Sequence, residues 1–321
     1  MLKSYSQLLN KIEQEIQNNP YLGSPQNLYD PLNYILGLGG KRIRPVLALM
    51  GCELYSGNIE KALPAALAVE VFHNFSLIHD DIMDKAPVRR GKPTVHEKWD
   101  TNIAILSGDL MLVKAFEMLQ KSEQKHWPEL FSVFNKTAAE VCDGQQMDMN
   151  FETQNDVTET EYLEMIRLKT SVLLGCSLQM GAIVADATKE EALKIYNLGV
   201  NMGIGFQLMD DYLDAFGTPE LVGKQPGGDI LANKKTIMVI KAMETEKEKI
   251  QDLFNDKNIS EVNKIEAIKT LFIKTEADDY LKQLSEKYFS LALQNLKDLK
   301  VDESKKLDIN ELLIYLQNRS F

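Results

Sequence analysis

Apolar residues recur at helical spacing along nearly the whole chain, and no segment alternates apolar with polar over a convincing strand length. Residues 62–84, ALPAALAVEVFHNFSLIHDDIMD, contain no Gly or Pro after Pro64. Residues 101–121, 129–149, 160–185, 190–213 and 230–250 read the same way, and no Asn-Gly or Asp-Gly hairpin is legible. A mixed domain would place about a fifth of its residues in strands. The pattern therefore predicts an all-α fold of ten or more helices.

Composition narrows the class further. Of 321 residues, 44% are hydrophobic and 26% charged, which suits a globular chain rather than a disordered one. The length allows about two domains, but no Ser/Gly-rich linker divides it, so one domain over 1–321 is expected. The 36 Lys and Arg against 47 Asp and Glu leave a net charge of −11, which argues against nucleic-acid binding. Cys52, Cys142 and Cys176 are widely spaced and form no CxxC, so a reducing compartment fits and a thiolate metal site does not. The first residues, MLKSYSQLLNKIEQEI, read as an amphipathic helix without a signal-peptide core. No run of about 18 apolar residues offers a membrane span. A soluble, cytoplasmic protein is expected.

Breakers mark the connections. Gly37-Leu38-Gly39-Gly40 ends the second helical region, Pro87 to Pro93 forms a polar loop, and a longer loop runs from Phe216 to Asp229. From about residue 245 onward, dense Lys and Glu suggest peripheral helices rather than an active-site segment.

Two segments echo each other. SLIHDDIMD (76–84) and FQLMDDYLD (206–214) each bring an apolar helix to Asp-Asp-x-x-Asp, 130 residues apart. Helical residues four apart share a face, with Cβ atoms roughly 5–6 Å apart, so Asp80 pairs with Asp84 and Asp210 with Asp214, while Asp81 lies to one side. Carboxylates this close call for a cation. Hard oxygens of this kind suit Mg²⁺, which commonly bridges one or two carboxylates to substrate phosphates. One such motif reads equally well as a solvated acidic face, but two, each ending an apolar helix, favour a metal site.

Cations bracket these motifs. Gly39-Gly40-Lys41-Arg42-Ile43-Arg44-Pro45 sets three on a turn entering a helix. Bare glycine backbone admits an anion, and Arg forks grip phosphate oxygens. Arg89-Arg90 follows Asp84 closely, Lys169-Thr170 sits in a helix, Lys224 lies in the glycine-rich loop, and Lys234 lies in the first turns of the next helix. Carboxylate clusters among cations are the arrangement expected for metal-bound diphosphates. His73 stands two helical turns before Asp80 on nearly the same face, where it is either a structural histidine or a phosphate donor. No HExxH supports a zinc hydrolase.

With these motifs in this order, residues 30–245 resemble the trans-isoprenyl diphosphate synthases, the polyprenyl synthetase family. The match rests on GGKRIRP, HDDIMDKAPVRRG, Lys169-Thr170, GFQLMDDYLD, Gly223-Lys224, Gly228-Asp229 and Asn233-Lys234. The resemblance implies a single large bundle of antiparallel helices around a deep central cavity, usually homodimeric. It implies a Mg²⁺-dependent transferase that joins an allylic diphosphate (dimethylallyl, geranyl or farnesyl) to isopentenyl diphosphate and releases pyrophosphate. By motif position, Asp80, Asp84 and Asp210 would hold Mg²⁺, three ions with substrate bound, and Asp81, Asp211 and Asp214 complete the clusters. Arg89, Lys169, Lys224 and Lys234 would grip the allylic diphosphate. Lys41, Arg44, His73 and Arg90 would bind isopentenyl diphosphate. Thr170 and Gln207 would flank the allylic carbon where positive charge develops. Both aspartate motifs would then share one metal-bound leaving group over an apolar pocket.

The resemblance also places product length at Phe75 and Ser76, five and four residues before Asp80. In the family a bulky aromatic here shortens products. One aromatic beside one small residue, with no insertion inside DDIMD, is similar to short-chain enzymes making C15 or C20, and C20 is favoured. Pure helical geometry points Phe75 about 140° from Asp80, so Phe72 and Leu77 are alternative tunnel residues and ordinary packing is an alternative role for Phe75. Two rivals remain. A class I terpene cyclase also uses a DDxxD helix, but it needs no second diphosphate pocket such as GGKRIRP offers. A noncatalytic subunit of a heteromeric synthase commonly loses an aspartate motif, and both are intact here.

Overall fold

The computed structural model describes residues 3–55, 58–154, 156–218 and 226–318. These are helical almost throughout: α1 Lys3–Asn18, α2 Gln26–Gly37, α3 Ile43–Tyr55, α4 Leu63–Met83, α5 Val95–Lys98, α6 Thr101–Leu119, α7 Trp127–Thr153, α8 Glu159–Ile166, α9 Val172–Val184, α10 Lys189–Phe216, α11 Gly228–Leu231, α12 Ile237–Asn255, α13 Glu261–Lys274, α14 Ala277–Lys297 and α15 Glu303–Gln317. A single π-helical turn, Arg167–Ser171, joins α8 to α9. No helix among the described residues is long and apolar enough to cross a membrane.

Local chemistry sets several of these boundaries. Asp100 Oδ1 accepts from the Ile103 amide at 2.8 Å and starts α6. Thr158 and Glu161 form a reciprocal capping box at α8. Ser260 caps α13 through the Asn263 amide.

The chain falls into two compact units. The first comprises Met1–Lys136, Cys176–Tyr196 and Leu299–Ile309, and the second Thr137–Gly175, Asn197–Asp298 and Asn310–Phe321. In the first, α4 is apolar on most of its circumference and buries Ala65, Ala66, Ala68, Val69, Val71, Phe72 and Ile78. An aromatic chain runs from Phe75 through Phe72 and Phe134 to Phe116, with successive ring centroids 5.5, 5.3 and 5.2 Å apart. Gly51 and Gly181 let α3 and α9 touch backbone to backbone, since a Cβ at either would collide with the partner's carbonyl.

In the second unit, Gly199 and Gly203 of α10 do the same work. A Cβ at Gly203 would lie 2.7 Å from Ser171, and one at Gly199 would lie 2.6 Å from Gly175 Cα. One and two turns further along the same face stand Gln207 and Asp211. The glycines therefore press the polar end of α10 against the π-turn that carries Lys169 and Thr170.

Several expectations need correction. Pro87 to Pro93 is a minimal antiparallel hairpin, with Val88 opposite Pro93 and Arg89 opposite Lys92. Its two turn residues, Arg90 and Gly91, have φ of 53° and 74°. Arg-Gly thus supplies the double positive φ more often met as Asn-Gly. Residues 230–250 are not one helix: α11 stops at Leu231 and α12 starts at Ile237, so Lys234 lies in the turn between them. The tail is not merely peripheral. Ser285 Oγ of α14 donates to the Gly205 carbonyl at 2.9 Å, and Phe289 packs 3.0 Å from where a Gly205 Cβ would be, five residues before Asp210. Its charged surface hides a buried face of Leu281, Leu284, Phe289 and Leu296.

Candidate active site

In the first unit the GGKRIRP turn is built around Arg42, which sequence reasoning counted only as one of three cations. Gly39, Gly40 and Arg42 all have positive φ, 71°, 137° and 47°. Positive φ at a non-glycine residue is costly, as is burying a guanidinium, and here the bonds that the Arg42 guanidinium makes compensate. It bonds Glu13 at 2.8 Å, Glu70 at 2.6 Å and the Leu36 carbonyl. Glu70 is a buried carboxylate in apolar α4, 28 residues along the chain from Arg42. Turning Arg42 inward leaves Lys41 exposed and Arg44 at the start of α3.

Arg44 Nη1 lies 3.2 Å from His73 Nε2, and Arg44 Nε is buried with no hydrogen-bond partner. Burial first, then Arg44, Arg90, Arg89 and Arg42, pull His73 well below its usual pKa. The ring is neutral; Arg44 donates to Nε2, and Nδ1 carries the proton. Burial also draws Arg44 down to about 10, with Glu70 opposing and Arg90 assisting. Arg90 donates to the Gly39 carbonyl, and its guanidinium fills the space that a Gly40 Cβ would need. The glycine turn carries Lys41 and leads into Arg44, the hairpin turn sets Arg90 against Gly39 and Gly40, and His73 of α4 meets Arg44: a partly buried, cation-rich cluster with an unsatisfied donor.

The first aspartate motif ends α4. Asp84 is exposed at the helix C-terminus, and its amide bonds the Asp80 carbonyl at 2.8 Å. Asp81 is 1% exposed and accepts a two-pronged grip from Arg89, Nε to Oδ2 and Nη2 to Oδ1, both 2.7 Å. Two of Arg89's donors are thus committed to Asp81 rather than presented outward. His79 settles over Gly108 with Nε2 3.2 Å from the Ile105 carbonyl. Phe75 stacks edge-on against His79 at 4.8 Å, and Ser76 Oγ donates to the His73 carbonyl at 2.9 Å.

The second motif ends α10. Asp210 is exposed. Asp211 is buried; it accepts from the Tyr162 hydroxyl and, at 3.1 Å, from Gln207 Nε2. Burial pushes Asp211 up to about 7, with Lys234 opposing and Asp229 adding to the rise. Asp214 Oδ2 accepts from the Asp229 amide at 2.8 Å, which anchors α11. Thr170 Oγ1 donates to Gln207 Oε1 at 3.1 Å, and Lys169 Nζ reaches Asp148 at 2.5 Å. The π-turn rotates Lys169 and Thr170 away from simple helical register, a distortion that recurs at functional sites. Burial lowers Lys234, but Asp229, Asp211, Asp148 and Asp214 outweigh it, and its pKa rises. Lys234 Nζ lies 3.8 Å from Asp229 Oδ1. Lys224 lies outside the described residues.

Tyr162, Asp148 and Asp229 escaped sequence reasoning as site partners. Asp148 and Tyr162 gave no usable signal, because each is an ordinary helical residue whose partner lies far away in the chain. By donor chemistry each motif taken by itself suits Mg²⁺: Asp80 and exposed Asp84 in the first unit, and exposed Asp210 in the second, offer hard oxygens. Among the described residues no cluster of three His, Cys, Asp or Glu is ready to hold a metal.

Comparison with known proteins identifies the family. A family model described as Polyprenyl synthetase matches residues 25–273. The chain is 40% identical over 299 residues to the geranylgeranyl diphosphate synthase of Methanosarcina mazei, covering 92% of this chain and 91% of that protein. It is 34% identical over 308 residues to the geranylfarnesyl diphosphate synthase of Aeropyrum pernix, covering 92% and 95%. A crystal structure of a geranylgeranyl pyrophosphate synthase superposes with a TM-score of 0.95 at 44% identity, covering both chains completely. The chain belongs to the polyprenyl synthetase family.

Proposed function

We propose that the chain, working as one catalytic domain, is a Mg²⁺-dependent trans-prenyltransferase that condenses an allylic diphosphate with isopentenyl diphosphate to a short-chain product, C20 favoured. Relatives named as geranylgeranyl and geranylfarnesyl diphosphate synthases support the class and the length. The observation that carries the reading is the Arg44–His73–Arg90 cluster. It holds a buried guanidinium donor with no partner beside a neutral imidazole. A diphosphate would satisfy that donor, and a terpene cyclase has no use for this second anion pocket.

Asp80, Asp84 and Asp210 are assigned to Mg²⁺, which when bound would neutralise the departing diphosphate. Lys169, Lys234, Lys224 and Arg89 are assigned to the allylic diphosphate, Arg89 through the part of its fork that Asp81 leaves open. Lys41, Arg44, Arg90 and Nδ1–H of His73 are assigned to isopentenyl diphosphate. The Thr170–Gln207 pair presents oxygen dipoles to the carbon that becomes cationic. Phe75 and Ser76 are assigned to product length. We place the enzyme in the cytoplasm as a homodimer; exposed Ile105, Leu106 and Val113 on α6, 40%, 59% and 53% accessible, support self-association.

The test is incubation of purified protein with Mg²⁺, labelled isopentenyl diphosphate and each allylic diphosphate in turn, with product lengths read after dephosphorylation. A C20 alcohol is expected, lost on chelation and restored by Mg²⁺. No incorporation with any allylic partner overturns the reading.

A further inference from the structure

The register of α13 contains an anomaly. Its core-facing positions are Lys264, Ile268, Leu271 and Phe272, spaced as one apolar stripe with a lysine at its head. Lys264 is 9% exposed, and burial lowers its pKa. Its ammonium donates to Asn233 Oδ1 at 2.7 Å and lies 5.4 Å from the Phe254 ring centre. Burying a lysine head on an amide is expensive, so the position asks for a reason.

The reason lies in what Asn233 and its neighbours hold. Asn233 adopts the left-handed conformation, φ 56°, and its Nδ2 donates to the Phe254 carbonyl at 3.3 Å. Lys234 follows directly, and its amide bonds the Asp229 carbonyl at 2.9 Å. At the other end of α11, Gly227 is also left-handed, φ 94°, and an added Cβ there would lie 2.5 Å from Ile265 Cδ1. Adjacent residues of α13 therefore grip both left-handed hinges of α11. Asp229, whose amide bonds Asp214, sits between the hinges, and Lys234, its ammonium 3.8 Å from Asp229 Oδ1, directly follows the second.

We infer that Lys264, with Ile265, is a positioning residue that clamps the 227–234 turn and so aims Lys234 and Asp229 beside the second aspartate motif. Lys264 touches no reacting atom; it acts through Asn233. The inference rests on the proposed role of Lys234 at the allylic diphosphate.

The test compares Lys264→Met, Asn233→Gly, their double variant and a Lys234→Ala control. Asn233→Gly keeps the left-handed turn without steric cost and removes the acceptor together with the longer Nδ2 bond to the Phe254 carbonyl; it reports even where Lys264→Met fails to fold, while Lys264→Met leaves the Phe254 bond in place. Steady-state kinetics give separate KM values for the two substrates, and hydrogen exchange reports on amides 227–236. Loss of one charge-assisted hydrogen bond should raise the allylic KM about tenfold while the isopentenyl KM stays unchanged. Exchange at 227–236 should quicken, and the double variant should be no worse than the more affected single. An allylic KM within about twofold of wild type in Asn233→Gly, or an equal rise in both KM values, overturns the clamp. An unchanged allylic KM in Lys234→Ala instead overturns the role of Lys234, and the clamp is then decided by the exchange at 227–236.

Discussion

Arg44 donates from Nη1 to Nε2 of His73 across 3.2 Å, tying the start of α3 to the middle of α4 in one tautomer. Because burial and the surrounding guanidinium groups hold His73 neutral, the unfolded chain binds a proton at this position before the folded one does. The stability this contributes is complete above the ordinary histidine pKa of 6.5 and is lost as pH falls below it toward the depressed folded value. Thermal unfolding from pH 7.5 to 5, run without substrate, should show Tm falling with acid. His73→Gln should flatten that slope; an identical slope in the variant would refute the neutral ring.

Arg89 is bound to a carboxylate that has nowhere else to go. Removing it strands Asp81 in the interior, and breaking such a pair typically costs about 3 kcal/mol. Urea denaturation of Arg89→Ala should register that loss, whereas Arg90→Ala, which frees no buried charge, should cost under about 1 kcal/mol. Equal losses would show that the Asp81 grip carries no stability.

Phe75 stands at the head of an aromatic chain rather than alone, with Phe72 behind it and His79 above. Replacing it with Ala opens space along α4 five residues before Asp80. Chromatography of dephosphorylated products should show chains longer than C20. Unchanged length with a lowered Tm would assign Phe75 to packing alone.

Gly203 sets the approach of α10 to the π-turn. A methyl group there would sit 2.7 Å from Ser171 Cα and Cβ. Gly203→Ala should cost about 1–3 kcal/mol by overpacking and depress turnover by displacing Gln207 from Thr170. A variant of wild-type stability and turnover would mean that the helix contact is not limiting.

How far the sequence reached depended on the range of the interaction. Helix class and the ends of α4, α6, α7 and α10 were legible to within a few residues, because periodicity and breakers are local. Lys234 was placed in a helix because residues 230–250 carry enough apolar spacing to imitate one, while Asn233 in a left-handed turn breaks it. The Arg90-Gly91 hairpin was missed because its turn chemistry depends on Arg90 being held at Gly39 by a contact 51 residues away.

The amino-acid sequence alone determined an all-helical chain, two aspartate triplets on helix ends and a set of cations around them, since each follows from spacing along a helix. Only tertiary structure decided which of those charges are committed. Asp81 is consumed by Arg89, Arg42 by Glu13 and Glu70, and Asp211 by Tyr162, whereas Arg44 retains a buried donor without a mate. The division is physical: a side chain's type and face are set by its neighbours in sequence, but its partner and solvation are set by residues tens of positions distant.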